Sequence, residues 1–238
     1  MLVCDKFIFL HLHKSGGTFV NQLMMTCLPG ARKLGYHLPA SEIPEEFRHL
    51  PVLGTVRNPL AYYVSWYHFQ RQIPRPNHLF LVCSDGGRFD FAATVERLAT
   101  LERRPALVDA LVRVFPDQFV GAGHNLTKRC IAQIAGSGRG FYSFLYDRMY
   151  RGVSNATILP AESLRSSLRA YLASHYPEPE PQKWRAFLNH APDMNRSRHD
   201  APELYYPDDL KRLIVELDRP VFDTYGYAMG TEASLQDR

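Results

Sequence analysis

An apolar run, Lys6-Phe7-Ile8-Phe9-Leu10-His11-Leu12, passes directly into His13-Lys14-Ser15-Gly16-Gly17-Thr18. Phe19-Val20-Asn21-Gln22-Leu23-Met24-Met25 follows with helical character, and Pro29-Gly30 stops it. The first run is rich in β formers and apolar on both faces, so it reads as a buried strand. The order is therefore strand, glycine loop, helix. Backbone N–H groups at a helix start form an anion site that the helix dipole strengthens. Gly16 and Gly17 let the main chain curl around an oxyanion, Ser15 and Thr18 add hydroxyl donors, and Lys14 adds a mobile positive charge. The set suits a phosphate or a phosphosulfate bridge; the alternative is an ordinary glycine turn. The usual ATP or GTP loop has a Gly four residues ahead of Gly-Lys-Ser/Thr, whereas here Lys14 precedes both glycines. A conventional kinase or GTPase is thereby demoted.

Pro51-Val52-Leu53-Gly54-Thr55-Val56 reads as a second buried strand. Arg57-Asn58-Pro59 ends it, with Asn58 as helix cap and Pro59 in the first turn of an aromatic helix over 60–71. Between the two strands, a short acidic helix is expected over Ser41–Arg48. Residues 73–88 read as irregular, with helices near 90–102, 105–115 and 125–135. Thr157 to Pro160 reads as a late strand, then a helix over Ser163–His175, a stiff turn at 177–181, a loop at 189–206 and a helix over Asp208–Asp218. A C-terminal segment spans Phe222–Met229. Strands alternating with helices predict an α/β fold with a parallel sheet flanked by helices. Ligands of such sheets bind beyond the carboxyl ends of the strands, so loops 13–18 and 57–58 are expected on one edge.

Charge and composition exclude less than these motifs do. The chain has 238 residues, 45% hydrophobic and 22% charged, as an ordinary globular protein has. Its net charge of +4 suits an anionic small molecule, an acidic glycan or nucleic acid without choosing among them. No run approaches the ~20 apolar residues of a membrane helix. The opening residues lack a basic segment followed by an apolar core and cleavage site. The expectation is a cytoplasmic, bacterial protein without a membrane span, a removed leader or anchor aside. Cys4, Cys27, Cys83 and Cys130 stand far apart, so buried reduced thiols are expected rather than a zinc site.

Taken together, the two loops resemble those of the sulfotransferases that use 3′-phosphoadenosine 5′-phosphosulfate, especially the carbohydrate O-sulfotransferase branch. In that family an apolar strand leads into Pro-Lys-Thr/Ser-Gly-Gly/Ser-Thr; this chain reads His13-Lys14-Ser15-Gly16-Gly17-Thr18. A second strand there ends in Arg-(Asn/Asp)-Pro, followed by a Ser eight residues after the Arg; Arg57-Asn58-Pro59 and Ser65 match. Weaker similarities run through Ile158 to Leu164, Asn195-Arg196-Ser197, and Asp218 to Tyr227. The resemblance implies a P-loop-NTPase-like single domain of the sulfotransferase type over residues 1–230, with 231–238 a flexible tail. It implies that Lys14, Ser15, Gly16, Gly17 and Thr18 hold the 5′-phosphosulfate, and that Arg57 and Ser65 hold the 3′-phosphate. His13 departs from the pattern by standing where the family has Pro.

The implied reaction moves a sulfuryl group to an acceptor hydroxyl by in-line displacement, with no metal required. The implied acceptor carries a hydroxyl, with a glycan or a small metabolite as candidates, and the sequence does not choose among glycan, lipid, peptide and small metabolite. Lys14 would stabilise the leaving oxygen, and the hydroxyl needs a proton acceptor near neutral pH. His37, in Leu34-Gly35-Tyr36-His37-Leu38, lies between the two motifs where relatives place such a His. His13 and the glutamates Glu42, Glu45 and Glu46 remain alternatives. His11 alternates with apolar neighbours and reads as a bonded core residue. His199 beside Arg196 and Arg198, and the sparse basic stretch Arg71, Arg75, His78 and Arg88, are either acceptor contacts or plain surface. The rings at 60–69 read mostly as core. Two other functions compete: a nucleotide-dependent phosphotransferase, and a non-catalytic module for anionic glycans or nucleic acid. No dense Lys/Arg face or nucleic-acid motif supports the latter, so no nucleic-acid partner is expected.

Overall fold

The computed structural model describes residues 1–119, 126–177, 183–192 and 200–227. In chain order the strands are β1 (Leu2–Val3), β2 (Ile8–Leu10), β3 (Arg32–Lys33), β4 (Val52–Val56) and β5 (Ala156–Pro160). The helices are α1 (Gly17–Cys27), α2 (Pro59–Gln72), α3 (His78–Cys83), α4 (Phe91–Ala99), α5 (Pro105–Val114), α6 (Lys128–Ala132), α7 (Phe141–Tyr150), α8 (Leu164–His175), α9 (Lys183–His190), α10 (Asp208–Leu217) and α11 (Arg219–Tyr225). Among the described residues the chain forms two compact units. One comprises 1–57, 116–119, 126–127, 145–177 and 183–192; the other comprises 58–115, 128–144 and 200–227.

The first unit holds a five-stranded sheet of order β3-β1-β2-β4-β5. β2, β4 and β5 are parallel, with Leu10 opposite Gly54 and Thr55 opposite Leu159. β1 runs antiparallel to both β2 and β3, so the sheet is mixed and the expectation of a parallel sheet is corrected. The physical reason is the turn at Cys4–Phe7, where the Cys4 amide donates to the Phe7 carbonyl at 3.0 Å and folds Leu2–Val3 back beside β2. Phe7 and Phe9 alternate along the chain and face a core with Leu53 and Leu159, Leu23 and Met24 of α1, Leu168 and Leu172 of α8, and Trp184 and Leu188 of α9. α1, α8 and α9 thus share one sheet face. Arg165 of α8 ties them together: its guanidinium caps the end of α9 at the carbonyls of Leu188 (2.8 Å) and Ala191 (2.5 Å) and lies over the Phe19 ring.

The second unit contains α2–α6, α10 and α11. Asn58 caps α2, its side-chain oxygen accepting from the Leu60 amide at 2.9 Å, and Pro59 opens the first turn. Tyr62, Tyr63 and Trp66 are fully buried and Tyr67 nearly so, as core rings should be. At the centre lies Asp218, whose carboxylate accepts from the Tyr63 hydroxyl at 2.8 Å and from the Ser143 amide at 2.7 Å. Burial pushes its pKa up to about 6, against those bonds, which favour the charged form.

Several expected elements differ. The stretch Ser41–Arg48 forms two 3₁₀ turns, Ala40–Glu42 and Glu45–Phe47, because Pro39 and Pro44 each stand at a turn start and interrupt any longer helix. Residues 73–88 contain α3, started by the Asn77 side chain accepting from the Phe80 amide. α7 and α9 were not expected from the sequence. Parts of the turn at 177–181, of the loop at 189–206 and of the segment 222–229, and the whole tail 231–238, lie outside the described residues. Among the described residues no helix is long and apolar enough to cross a membrane, and the four cysteines form no disulfide.

Candidate functional site

β2 stops at Leu10 and the chain turns through His13–Gly16 into α1. Lys14 and Gly16 adopt left-handed conformations, φ 58° and 82°. Gly16 occupies the cap position of α1 and brings no side chain of its own to that helix start, where the first main-chain N–H groups form the positive end of the helix dipole. Gly17 is required for a different reason. A Cβ there would fall 1.8 Å from Cδ2 of His11, because the imidazole lies flat against the glycine. The glycine pair therefore does two jobs, one in backbone curvature and one in close approach. Ser15 is fully buried, and its hydroxyl donates to the His13 carbonyl at 3.4 Å.

Arg57 follows β4, the parallel neighbour of β2, so both loops leave the sheet at the same edge. Its Nη1 donates to the Lys14 carbonyl at 3.3 Å. This contact joins the two sequence motifs. The Lys14 ammonium is pushed down to about 8 by burial and then by the Arg57 charge. Two cations held this way at one strand edge form a strong attraction for a multiply charged anion.

His37 is brought to the same loop, with φ 45°. Its Nδ1 lies 2.8 Å from the His11 carbonyl; a carbonyl only accepts, so Nδ1 carries the proton and Nε2 keeps its lone pair. Burial pushes its pKa down to about 4; the hydrogen bond opposes this shift, while the charges of Lys33 and Arg148 add to it. A neutral imidazole with an unprotonated Nε2 follows at physiological pH. The His37 ring centre is 4.3 Å from that of His11 and 5.2 Å from that of His13. His11 itself is buried and bonded to the Asn21 side chain at 3.2 Å, and burial holds it well below the ordinary histidine range. It is the bonded core residue that alternation implied.

The structure thus brings Lys14, Ser15, Gly16, Gly17, Thr18, Arg57, His13 and His37 into one unit. Ser65 lies on α2 in the other unit, buried at 3%. Glu42, Glu45 and Glu46 face solvent, and Glu45 pairs with Arg48. In the basic stretch, Arg71 donates to the Gly87 carbonyl and Arg88 pairs with Asp85, so both are surface structure. Arg196, Arg198 and His199 lie outside the described residues. Sequence reasoning missed Arg148 and Tyr150 of α7, which carry no motif. Among the described residues, no group of His, Cys, Asp and Glu is arranged to hold a metal ion.

Compared with protein-family models, with curated proteins and with solved structures, the chain has no match.

Proposed function

We propose that this chain is a sulfotransferase that moves a sulfuryl group from 3′-phosphoadenosine 5′-phosphosulfate to an acceptor hydroxyl, with a glycan or a small metabolite as acceptor. The fold around the site is then a P-loop-like α/β arrangement in which β2, loop and α1 cradle the phosphosulfate. The observation that carries the reading is the Arg57 hydrogen bond to the Lys14 carbonyl, which joins the two motifs at the glycine loop, together with a neutral His37 bonded to the His11 carbonyl and packed beside His13. The nucleotide, when bound, supplies an activated sulfuryl group on a phosphate leaving group.

The residues divide the work as follows. Main-chain N–H groups of the Gly16–Thr18 turn receive the 5′-phosphate at the positive helix end. The Lys14 ammonium offsets charge on the leaving oxygen. The planar fork of Arg57 suits a second, dianionic phosphate, and Ser65 is assigned to that phosphate by resemblance alone. Nε2 of His37 takes the proton of the acceptor hydroxyl, and the bond from Nδ1 to the His11 carbonyl holds the ring in the required tautomer.

Calorimetric titration with 3′-phosphoadenosine 5′-phosphate, ATP and ADP, on wild type and Arg57→Ala, tests the reading. Preference for the 3′-phosphorylated nucleotide, lost in the variant, is the expected result. Equal binding of ATP, or no nucleotide binding, overturns it and returns the phosphotransferase or the binding module.

A further inference from the structure

Tyr150 closes α7, and its hydroxyl sits at the point where β2 and β4 separate. It accepts from the Thr55 amide at 2.9 Å, donates to the Thr55 carbonyl at 2.7 Å, and lies 3.4 Å from the Leu10 carbonyl. Leu10 and Gly54 form the last pair of the β2–β4 ladder. Thr55 is the first β4 residue beyond it: its N–H faces the Leu10 carbonyl across the last rung, but its C=O has no strand residue to accept from on the β2 side, because β2 has turned away into the glycine loop. A buried peptide group in that position needs a partner. The tyrosine hydroxyl is both acceptor and donor, so one atom takes the place of a strand residue.

The ring also fills the gap. Gly54 leaves room for it: a Cβ there would lie 2.5 Å from Cε1 of Tyr150 and 2.6 Å from Cδ1 of Ile158. Tyr150 is therefore a wedge, with its ring against the last paired residue and its hydroxyl bonded across the opening. Beyond the wedge, β2 leads to Lys14 in four residues, and Thr55 leads to Arg57 in two. Each strand delivers one cation, and the width of the opening sets their separation.

We infer that Tyr150 is a positioning residue that fixes the span between the glycine loop and Arg57, so that a single nucleotide with phosphates at both its 3′ and 5′ positions engages both at once. This rests on the nucleotide reading proposed above. Tyr150 touches no phosphate in this scheme; it acts through Thr55 and Leu10. The chemical consequence is selectivity: a nucleotide with only a 5′-phosphate uses the loop alone and is indifferent to the span, whereas a 3′,5′-bisphosphate depends on it.

The test is calorimetric titration of wild type and Tyr150→Phe with 3′-phosphoadenosine 5′-phosphate and with adenosine 5′-phosphate. In the variant, bisphosphate affinity is expected to fall by about 10- to 100-fold, toward that of the monophosphate, with monophosphate affinity held within about threefold. A tyrosine that only stabilises the fold lowers the melting temperature and weakens both ligands alike, or neither; either pattern overturns the inference while leaving the sulfotransferase reading in place. If Tyr150→Phe does not fold, 4-aminophenylalanine installed at position 150, which keeps a donor for the carbonyls, replaces it, and wild-type selectivity is then the expected result. If wild type itself shows no preference for the bisphosphate, the nucleotide reading falls, and NMR titration of the Lys14 side chain judges the wedge by itself. A midpoint in Tyr150→Phe displaced from that of wild type measured alongside supports it, and an unchanged midpoint overturns it.

Discussion

If the chain binds the proposed nucleotide, raising the pH from 7 to 9.5 should weaken that binding at a lysine, well below the pH at which lysines ordinarily titrate. The Lys14 ammonium has its pKa lowered from 10.5 to about 8, first by burial beside the turn and then by the Arg57 charge. Where a bound phosphate requires that ammonium, apparent affinity falls by the factor 1 + 10^(pH − pKa), which is about 1.1 at pH 7 and on the order of tenfold at pH 9. The same lysine at its ordinary pKa would lose only about 3% of its affinity at pH 9. The sign follows from the shift: the free protein releases the proton above about 8, and the anion draws it back. At pH 8.5 the complex should therefore take up about 0.75 proton per nucleotide. Calorimetry with 3′-phosphoadenosine 5′-phosphate in two buffers of different ionisation enthalpy reads that number directly. His37, pushed down to about 4, stays neutral across this window and contributes nothing to it. Lys14→Met should bind weakly at pH 7 and show no uptake, and Arg57→Ala should move the remaining slope to higher pH. A wild-type affinity that is flat from pH 7 to 9.5, or proton uptake that persists in Lys14→Met, refutes the reasoning.

His37→Ala should leave nucleotide affinity within about twofold while slowing sulfate release to water from the phosphosulfate by about 10²- to 10⁴-fold. In wild type that release should hold level from pH 7.5 down to about 5 and fail only near 4, where His37 gains its proton; a decline centred near 6.5 would point to an exposed histidine instead. Gly17→Ala sets a methyl on the His11 ring and should cost about 2–4 kcal/mol in urea unfolding, part of it recovered in the double variant with His11→Ala. A single variant as stable as wild type would contradict that contact. Asp218 has a folded pKa of about 6 against 3.8 in the unfolded chain, so the stability it contributes is full below 3.8 and lost as pH rises through 6. The difference amounts to about 3 kcal/mol, and Asp218→Asn should lack this pH dependence; unfolding curves of the two proteins at pH 4 and pH 7 measure it.

The parts of the site that follow a strand were legible because strand and loop carry separate local signals. The run Phe7–Leu10 is apolar on both faces and buried, and the glycine loop follows within six residues of its end. Asn58 and Pro59 announced α2 through their own hydrogen-bonding and ring constraints, and the Asn58 cap is formed. Placing both loops at one sheet edge needed only that β2 and β4 be parallel, and the Arg57 contact with the Lys14 carbonyl shows it. Other elements gave no such signal. β1 and β3 have two residues each, too few for any period to register, and their antiparallel pairing is what made the sheet mixed. The six residues of α3 sit between prolines and glycines that mark loops, and only the Asn77 cap hints at a helix.

Tyr150 was illegible for a deeper reason. Its role depends on backbone groups of Leu10 and Thr55, 140 and 95 residues away, and a bond to a main-chain atom so distant in the chain, unlike a local cap such as Asn58, leaves no side-chain pattern. The same holds for His37, whose tautomer is set by the carbonyl of His11. Both features lie at the end of the short strand β2. A strand of three residues ends before its parallel neighbour β4 does, and the peptide groups around its end still require partners. Tyr150 and His37 supply them with polar side chains, one at Thr55 and the other at His11. Lengthening β2 by a single pair would bond the Thr55 carbonyl within the ladder and make Tyr150 unnecessary as its partner, whereas the His11 carbonyl, on the β1 side of β2, would still need His37. It would also draw the glycine loop and Arg57 together at the proposed anion site. The Tyr150 bonds at the mouth of this sheet are thus a consequence of where the strand stops, and the candidate chemistry of the site lies beside the same early stop.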